Sequence, residues 1–229
     1  MKRPFLAVLL TGLVIAADGP PKDPRRALDK AVRTTAAAKN YCFTIQEQPG
    51  TGARGAVEGK YQKGRPAYFK AGNFPFYQQG KTLIYQQGGK WHKSKTGIQS
   101  DPLIVLVASA QVRRARLPHV ELADFAKNFQ GQIKAARKAG DTLYSGNLTA
   151  AAVKKLAPTE AAGVARSGTA QLWVNAQGQV VKYTITLKLK GRRGNAEVDG
   201  TTTKTVTLKG IGSTKVEVPK EAGKLLPGK

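Results

Sequence analysis

The chain has 229 residues, enough to bury the core of one domain, and 41% of them are hydrophobic. Lys and Arg number 38 against 14 Asp and Glu, a formal charge of +24, so the natural counterparts of the surface are anionic: lipid headgroups, acidic polysaccharide or nucleic acid. The single cysteine, Cys42, excludes an intramolecular disulfide, and in a strand-like run beside Phe43 it reads as a small buried apolar residue.

Lys2 and Arg3 precede an apolar run from Phe5 that ends on Ala16 and Ala17. That pattern predicts a secretory signal peptide over residues 1–17, too short to span ~30 Å of hydrocarbon. No cysteine lies near the cleavage point to take a lipid, and no second apolar run is long enough to cross a membrane. Residues 18–22 read as a linker and 23–229 as a single domain. Asp23-Pro24 is a helix start, an N-cap acid followed by Pro in the first turn. Leu28, Ala31, Val32 and Thr35 then mark one face of a helix running to about Lys39.

Strand signals follow at short intervals. Tyr41, Phe43 and Ile45 alternate with polar or smaller residues, as do Val57, Gly59 and Tyr61. Ala67–Lys70, Phe74–Tyr77, Leu83–Tyr85 and Lys90–Lys93 are short strands separated by Gly-rich turns, the pattern of an antiparallel meander. The middle reads as helical. Asp101-Pro102 opens an all-apolar segment, Leu103 to Ala108, and Leu122, Phe125, Ala126 and Phe129 form a second amphipathic set. A hairpin is predicted around Lys138-Ala139-Gly140-Asp141. Thr149 caps a helix through Leu156, and Pro158 to Ser167 reads as loop. The last third is strand again: Ala170–Val174, Val180–Leu189, Thr203–Lys209 and Lys215–Val218, with a turn at Asn175–Gly178 and a polar loop at Gly191–Gly200.

The residues offer little for catalysis. The two histidines, His92 on a strand edge and His119 at the start of a helix, read as surface or turn residues. No HxH, HExxH or CxxC spacing marks a metal site, so no cofactor is expected. No Gly-x-Ser-x-Gly elbow is present, and the few acids form no pair of glycosidase type. The chain reads as a non-enzyme.

The order of elements resembles the LolA-like superfamily, the periplasmic lipoprotein carriers LolA and LolB and the LppX/LprG-type lipid-binding proteins. The stretches that carry the resemblance are Leu28–Ile45, Thr82–Lys93, Gly140–Thr149, Gln171–Val181 with its Trp173 and polar-Gly turn, and Val206–Val218 ending in Pro219. The resemblance implies an α+β fold, an open antiparallel half-barrel with helices covering its concave face, and a cavity between them for acyl chains.

Inward phases of the strands and the apolar middle segment nominate the cavity lining. Phe43, Ile45, Val57, Tyr61, Phe69 and Phe76 come first. Leu83, Tyr85, Trp91, Leu103, Leu106, Leu172, Val174 and Ile185 complete it. Each buried CH₂ of a chain held there would contribute ~0.8 kcal/mol. The expected partner is an acyl lipid or lipoprotein, with an anionic membrane surface as a second partner and nucleic acid disfavoured by secretion. The expected protein is a monomer of a bacterial envelope or periplasm. The alternative is an envelope binder of anionic polymers with a filled core, for which Lys90-Trp91-His92-Lys93 and Lys182-Tyr183 interleave cations with rings.

Overall fold

The computed structural model describes residues 19–48, 55–80, 82–94, 117–123, 125–157, 163–193 and 196–227. The leader and the Leu103–Ala108 segment with Leu103 and Leu106 lie outside the described residues.

Helix α1, Pro24–Ala36, forms where the sequence places it. Asp23 accepts the N–H of Arg26 at 3.0 Å and Pro24 fills the first turn. Its buried stripe is Leu28, Ala31, Val32 and Thr35. Six short strands follow: β1 Asn40–Gln48, β2 Val57–Gln62, β3 Ala67–Ala71, β4 Phe74–Gln79, β5 Thr82–Gln87 and β6 Lys90–Ser94. Next come α2, Pro118–Leu122, and a 3-10 turn, Phe125–Asn128. Strands β7 Phe129–Lys138 and β8 Asp141–Leu148 precede α3, Ala150–Leu156, whose N-cap Thr149 accepts from Ala152 N–H at 3.1 Å. The chain ends with β9 Ala165–Val174, β10 Val180–Arg193, β11 Ala196–Lys209 and α4, Lys220–Gly223.

All eleven strands form one antiparallel sheet in the order β6-β5-β4-β3-β2-β1-β11-β10-β9-β8-β7. Two meander arms, β1–β6 and β7–β11, are thus joined along a single β1–β11 seam, and the sheet stays open at β6 and β7. The architecture is an α+β half-barrel with helices over its concave face. Because side chains alternate across each strand, register sorts the residues cleanly. One concave row runs Tyr144, Leu172, Tyr183, Val206, Ile45 and Val57 across β8-β9-β10-β11-β1-β2. A parallel concave row runs Leu208, Phe43, Gly59, Phe69, Phe76 and Tyr85 across β11-β1-β2-β3-β4-β5.

Gly59 has a steric reason to be glycine. A Cβ there would lie 2.0 Å from the tip of the Phe43 ring, which spreads over the bare backbone. Phe129 uses Gly146 in the same way, at 2.8 Å. On the outer face, one row runs Ser145, Gln171, Thr184, Thr205 and Gln46 across β8-β9-β10-β11-β1. The row beside it runs Asn147, Thr169, Thr186, Thr203 and Gln48.

Several elements differ from the sequence reading. The helix expected through Leu122 and Phe129 is three pieces: α2, the 3-10 turn and the start of β7. Leu122, Phe125, Ala126 and Phe129 are all buried, so broken backbone serves the inward set that the helical spacing suggested. Strand β9 begins at Ala165, inside the expected loop, and β10 and β11 run on through the expected Gly191–Gly200 loop, pairing as far as Arg193 and Ala196. Arg192, Glu197 and Asp199 there are exposed, on a ribbon that needs no apolar alternation.

Lys215–Val218 is no strand. Its backbone is held by side chains instead: Val216 N–H donates to Gln62 Oε1 at 2.9 Å and Glu217 C=O accepts from Tyr77 O–H at 2.7 Å. This segment and α4 cover the outer face of the first arm. There Tyr77, Ile84, Val216 and Ala222 form a second cluster, joined by Tyr68, Trp91 and Leu226. Burial pushes the Tyr77 phenol up to about 12. Cys42 is half-buried rather than buried, because it points to the outer side and meets Thr214 Oγ1 at 3.3 Å.

Candidate functional site: the concave face

The concave face is a continuous apolar floor. Phe43, Ile45, Val57, Phe69, Phe76, Leu172, Val174 and Ile185 are each at most 5% exposed and belong to one cluster. Tyr61, Leu83 and Tyr85 are half-buried against it. Trp91 departs from the sequence reading. It pairs with Gln86, one residue out of phase with the Tyr85–His92 pair, so it faces outward and packs on Tyr77 at 5.5 Å. Leu103 and Leu106 lie outside the described residues.

The first arm carries an aromatic run. Phe69 stacks on Phe76 at 5.1 Å and 6°, and Phe43 meets Phe69 edge-on at 5.5 Å. Each buried ring contributes about 2 kcal/mol or more by burial alone. The second arm contributes aliphatics with Phe129, Tyr144 and Tyr183.

Among the described residues, the helices pack on this floor mainly over the second arm. α1 packs on α2, the 3-10 turn, β7 and β10, and α3 packs on β9. Among the described residues, no helix makes a comparable contact with the concave side of β3–β5. Two hydrogen-bond arrangements hold α1. Thr35 Oγ1 donates to Ala31 C=O at 2.9 Å and accepts the N–H of Val180 at 2.7 Å. The register shift at Val180 takes that N–H out of the ladder, and Thr35 satisfies it. Arg25 reaches across to the carbonyls of Ala126, Phe129 and Gly131, the last at 2.7 Å. Beside it an open groove of about 360 Å³ is lined by Arg26, Asp29, Arg33 and Lys127 among others.

A polar island interrupts the apolar floor beneath α2. Glu121, 8% exposed, accepts the Tyr183 hydroxyl at 2.5 Å and both carboxylate oxygens meet Lys204 Nζ, at 2.9 and 3.0 Å. Burial, then the neighbouring carboxylate, push the Tyr183 phenol far up, so it remains a donor.

His119, expected at the surface, instead lies half-buried over Tyr61, with ring centroids 4.2 Å apart, and its Nδ1 is 2.7 Å from the Tyr41 hydroxyl. The same hydroxyl accepts the His119 backbone N–H at 3.2 Å, so two bonds tie Tyr41 to His119. Burial raises the Tyr41 phenol and lowers the His119 imidazole, and both favour this neutral pair.

The sequence reading overlooked the island. One signal was present: Lys204 shares strand parity with Val206 and Leu208, so a cation stands in the inward phase. Among the described residues, no three side chains gather to hold a metal, and no helix is long and apolar enough to cross a membrane.

No family model and no curated protein matches this chain. Solved structures do. LprF from Mycobacterium bovis superposes with a TM-score of 0.57 at 14% identity, over 89% of this chain and 99% of its own. The lipoprotein LppX from Mycobacterium tuberculosis superposes with a TM-score of 0.51 at 11% identity, over 84% of this chain and 97% of its own. At such identities the likeness speaks for architecture, and it does so over nearly the whole length of both proteins. The open eleven-stranded half-barrel with its helical cover is the fold of LprF and LppX.

Proposed function

We propose that this protein binds or carries acyl lipid in a bacterial cell envelope, with the acyl chains lying between the concave sheet and its cover. The observation that carries this reading is the continuous apolar floor of the concave sheet, which the Phe43–Phe69–Phe76 row carries from β1 across to β4. The fold shared with LprF and the lipoprotein LppX supports it. The apolar leader at residues 1–17 supports export. The excess of Lys and Arg supports approach to anionic leaflets, at ~1 kcal/mol per well-placed cation. No step of bond making is involved. Binding is reversible burial of chains, and the protein acts as a monomer.

The test is native mass spectrometry of the purified mature protein, followed by organic extraction. A stoichiometric acyl lipid is expected on the wild type. Leu83→Arg, at a half-buried position of the floor, should lower its occupancy several-fold while leaving the fold intact. A bare mass, with no uptake from anionic phospholipid vesicles, would sink the reading. Salt-sensitive retention on heparin would then favour the anionic-polymer alternative.

A further inference from the structure

The outer face of β8–β11 and β1 is set apart among the described residues by its lack of charge. Its two central rows, from Ser145 to Gln46 and from Asn147 to Gln48, are wholly uncharged and consist of hydroxyl and amide side chains. All are exposed or half-buried, and no described helix packs on them. The chain is 23% charged with an excess of cations, and charge is present at the margins of the same face: Lys182 and Lys188 stand one step beyond the rows, Lys209 two steps beyond, and Lys134 of β7 pairs with Ser145 at the end of one row. Four interstrand steps make the rows about 19 Å wide, with about 6.6 Å between them. That footprint suits an extended chain better than a small molecule.

The side chains define the ligand by exclusion. An acidic polymer or nucleic acid would be met by Lys and Arg in the centre of the face, and here they are displaced from it. A protein partner's hot spot is built from Trp, Tyr and Arg, with Ser and Thr under-represented. Hydroxyls and amides each both donate and accept, so they match a ligand whose groups do the same. The hydroxyls are also partly set. Thr184 and Thr205 lie 3.2 Å apart and Thr186 and Thr203 3.4 Å, one hydroxyl donating to the other in each pair and leaving one proton per pair for a ligand. Trp173 flanks the rows with its ring under Lys182 Nζ at 4.8 Å.

We infer that this face is a binding surface for a neutral polysaccharide, separate from the concave site and independent of what that site holds. It would hold the protein on a neutral glycan layer while the concave face remains free.

The test is co-sedimentation with insoluble cellulose, chitin and β-1,3-glucan, with affinity electrophoresis in gels containing galactan or mannan, each at 0.05 and 0.5 M NaCl. Retention on at least one of these is expected, little changed by salt. The double variant Thr169→Lys/Gln171→Lys, both at exposed positions, should weaken it at least tenfold, and Gln46→Lys alone should weaken it measurably, with thermal unfolding confirming the fold of each. Three results would overturn the inference: no retention on any of the five polymers, retention that disappears at 0.5 M salt, or folded variants that bind like the wild type.

Discussion

Glu121 shows how one residue can be decisive without being reactive. Its side chain is 4% exposed and that of Lys204 16%, so the pair forms in a weakly screened place where a lone charge is costly. Glu121→Ala should therefore cost about 3 kcal/mol in urea unfolding, because Lys204 and the Tyr183 hydroxyl both lose their acceptor. Replacing the pair together, Glu121→Leu with Lys204→Met, should stay within about 1 kcal/mol of the wild type. A single variant as harmless as the double one would show that the pair is solvated. His119 makes a related statement through pH. Burial lowers its pKa below the ordinary 6.5, so the folded chain refuses a proton that the unfolded chain accepts. The stability this confers is complete above about pH 6.5 and is lost as pH falls toward the lowered value. Unfolding midpoints measured from pH 8 to 5 should fall on the acid side, and His119→Phe should flatten that part of the profile.

At the scale of elements, turns and periodicity were legible and endings were not. The Asp23-Pro24 start of α1, the Asn175–Gly178 turn and the Thr149 cap are local signals, and all three form as their chemistry dictates. The apolar concave face was legible through strand parity, and Trp91 departs from it, an aromatic at a half-buried position that belongs to the outer cluster made by α4 and the C-terminal segment. That cluster depends on chain returning from far away, which no local pattern reveals. The same holds for Glu121, which the sequence shows only as an acid near a proline. Strand lengths of β10 and β11 were underestimated because a two-stranded ribbon with polar sides gives no alternation to read. The β7–β8 hairpin offers a test at this scale. Its two-residue turn places Ala139 at φ 51° and Gly140 at φ 86°, and only the second is suited to that region. Ala139→Asn should stabilise the protein by about 0.5–1 kcal/mol, seen as a rise of a few degrees in Tm. An unchanged or lower Tm would mean that the turn does not hold its left-handed geometry in solution.

At the scale of the whole molecule, the sheet separates three environments: an apolar floor on the concave side, a neutral hydroxyl field behind the seam, and an aromatic patch sealed by the C-terminal segment behind the first arm. Neither arm is a half-barrel alone. Each is a run of hairpins between sequence neighbours, which can form early and at little entropic cost, whereas β1 and β11 come from opposite ends of the domain. Pairing Ile45 with Val206 is the contact that brings the two curved ribbons under one roof. Until that step the floor is two exposed apolar strips, each with an unpaired edge, the form in which chains stick to one another. This protein therefore has its greatest exposure to aggregation in the interval between making its hairpins and closing its seam.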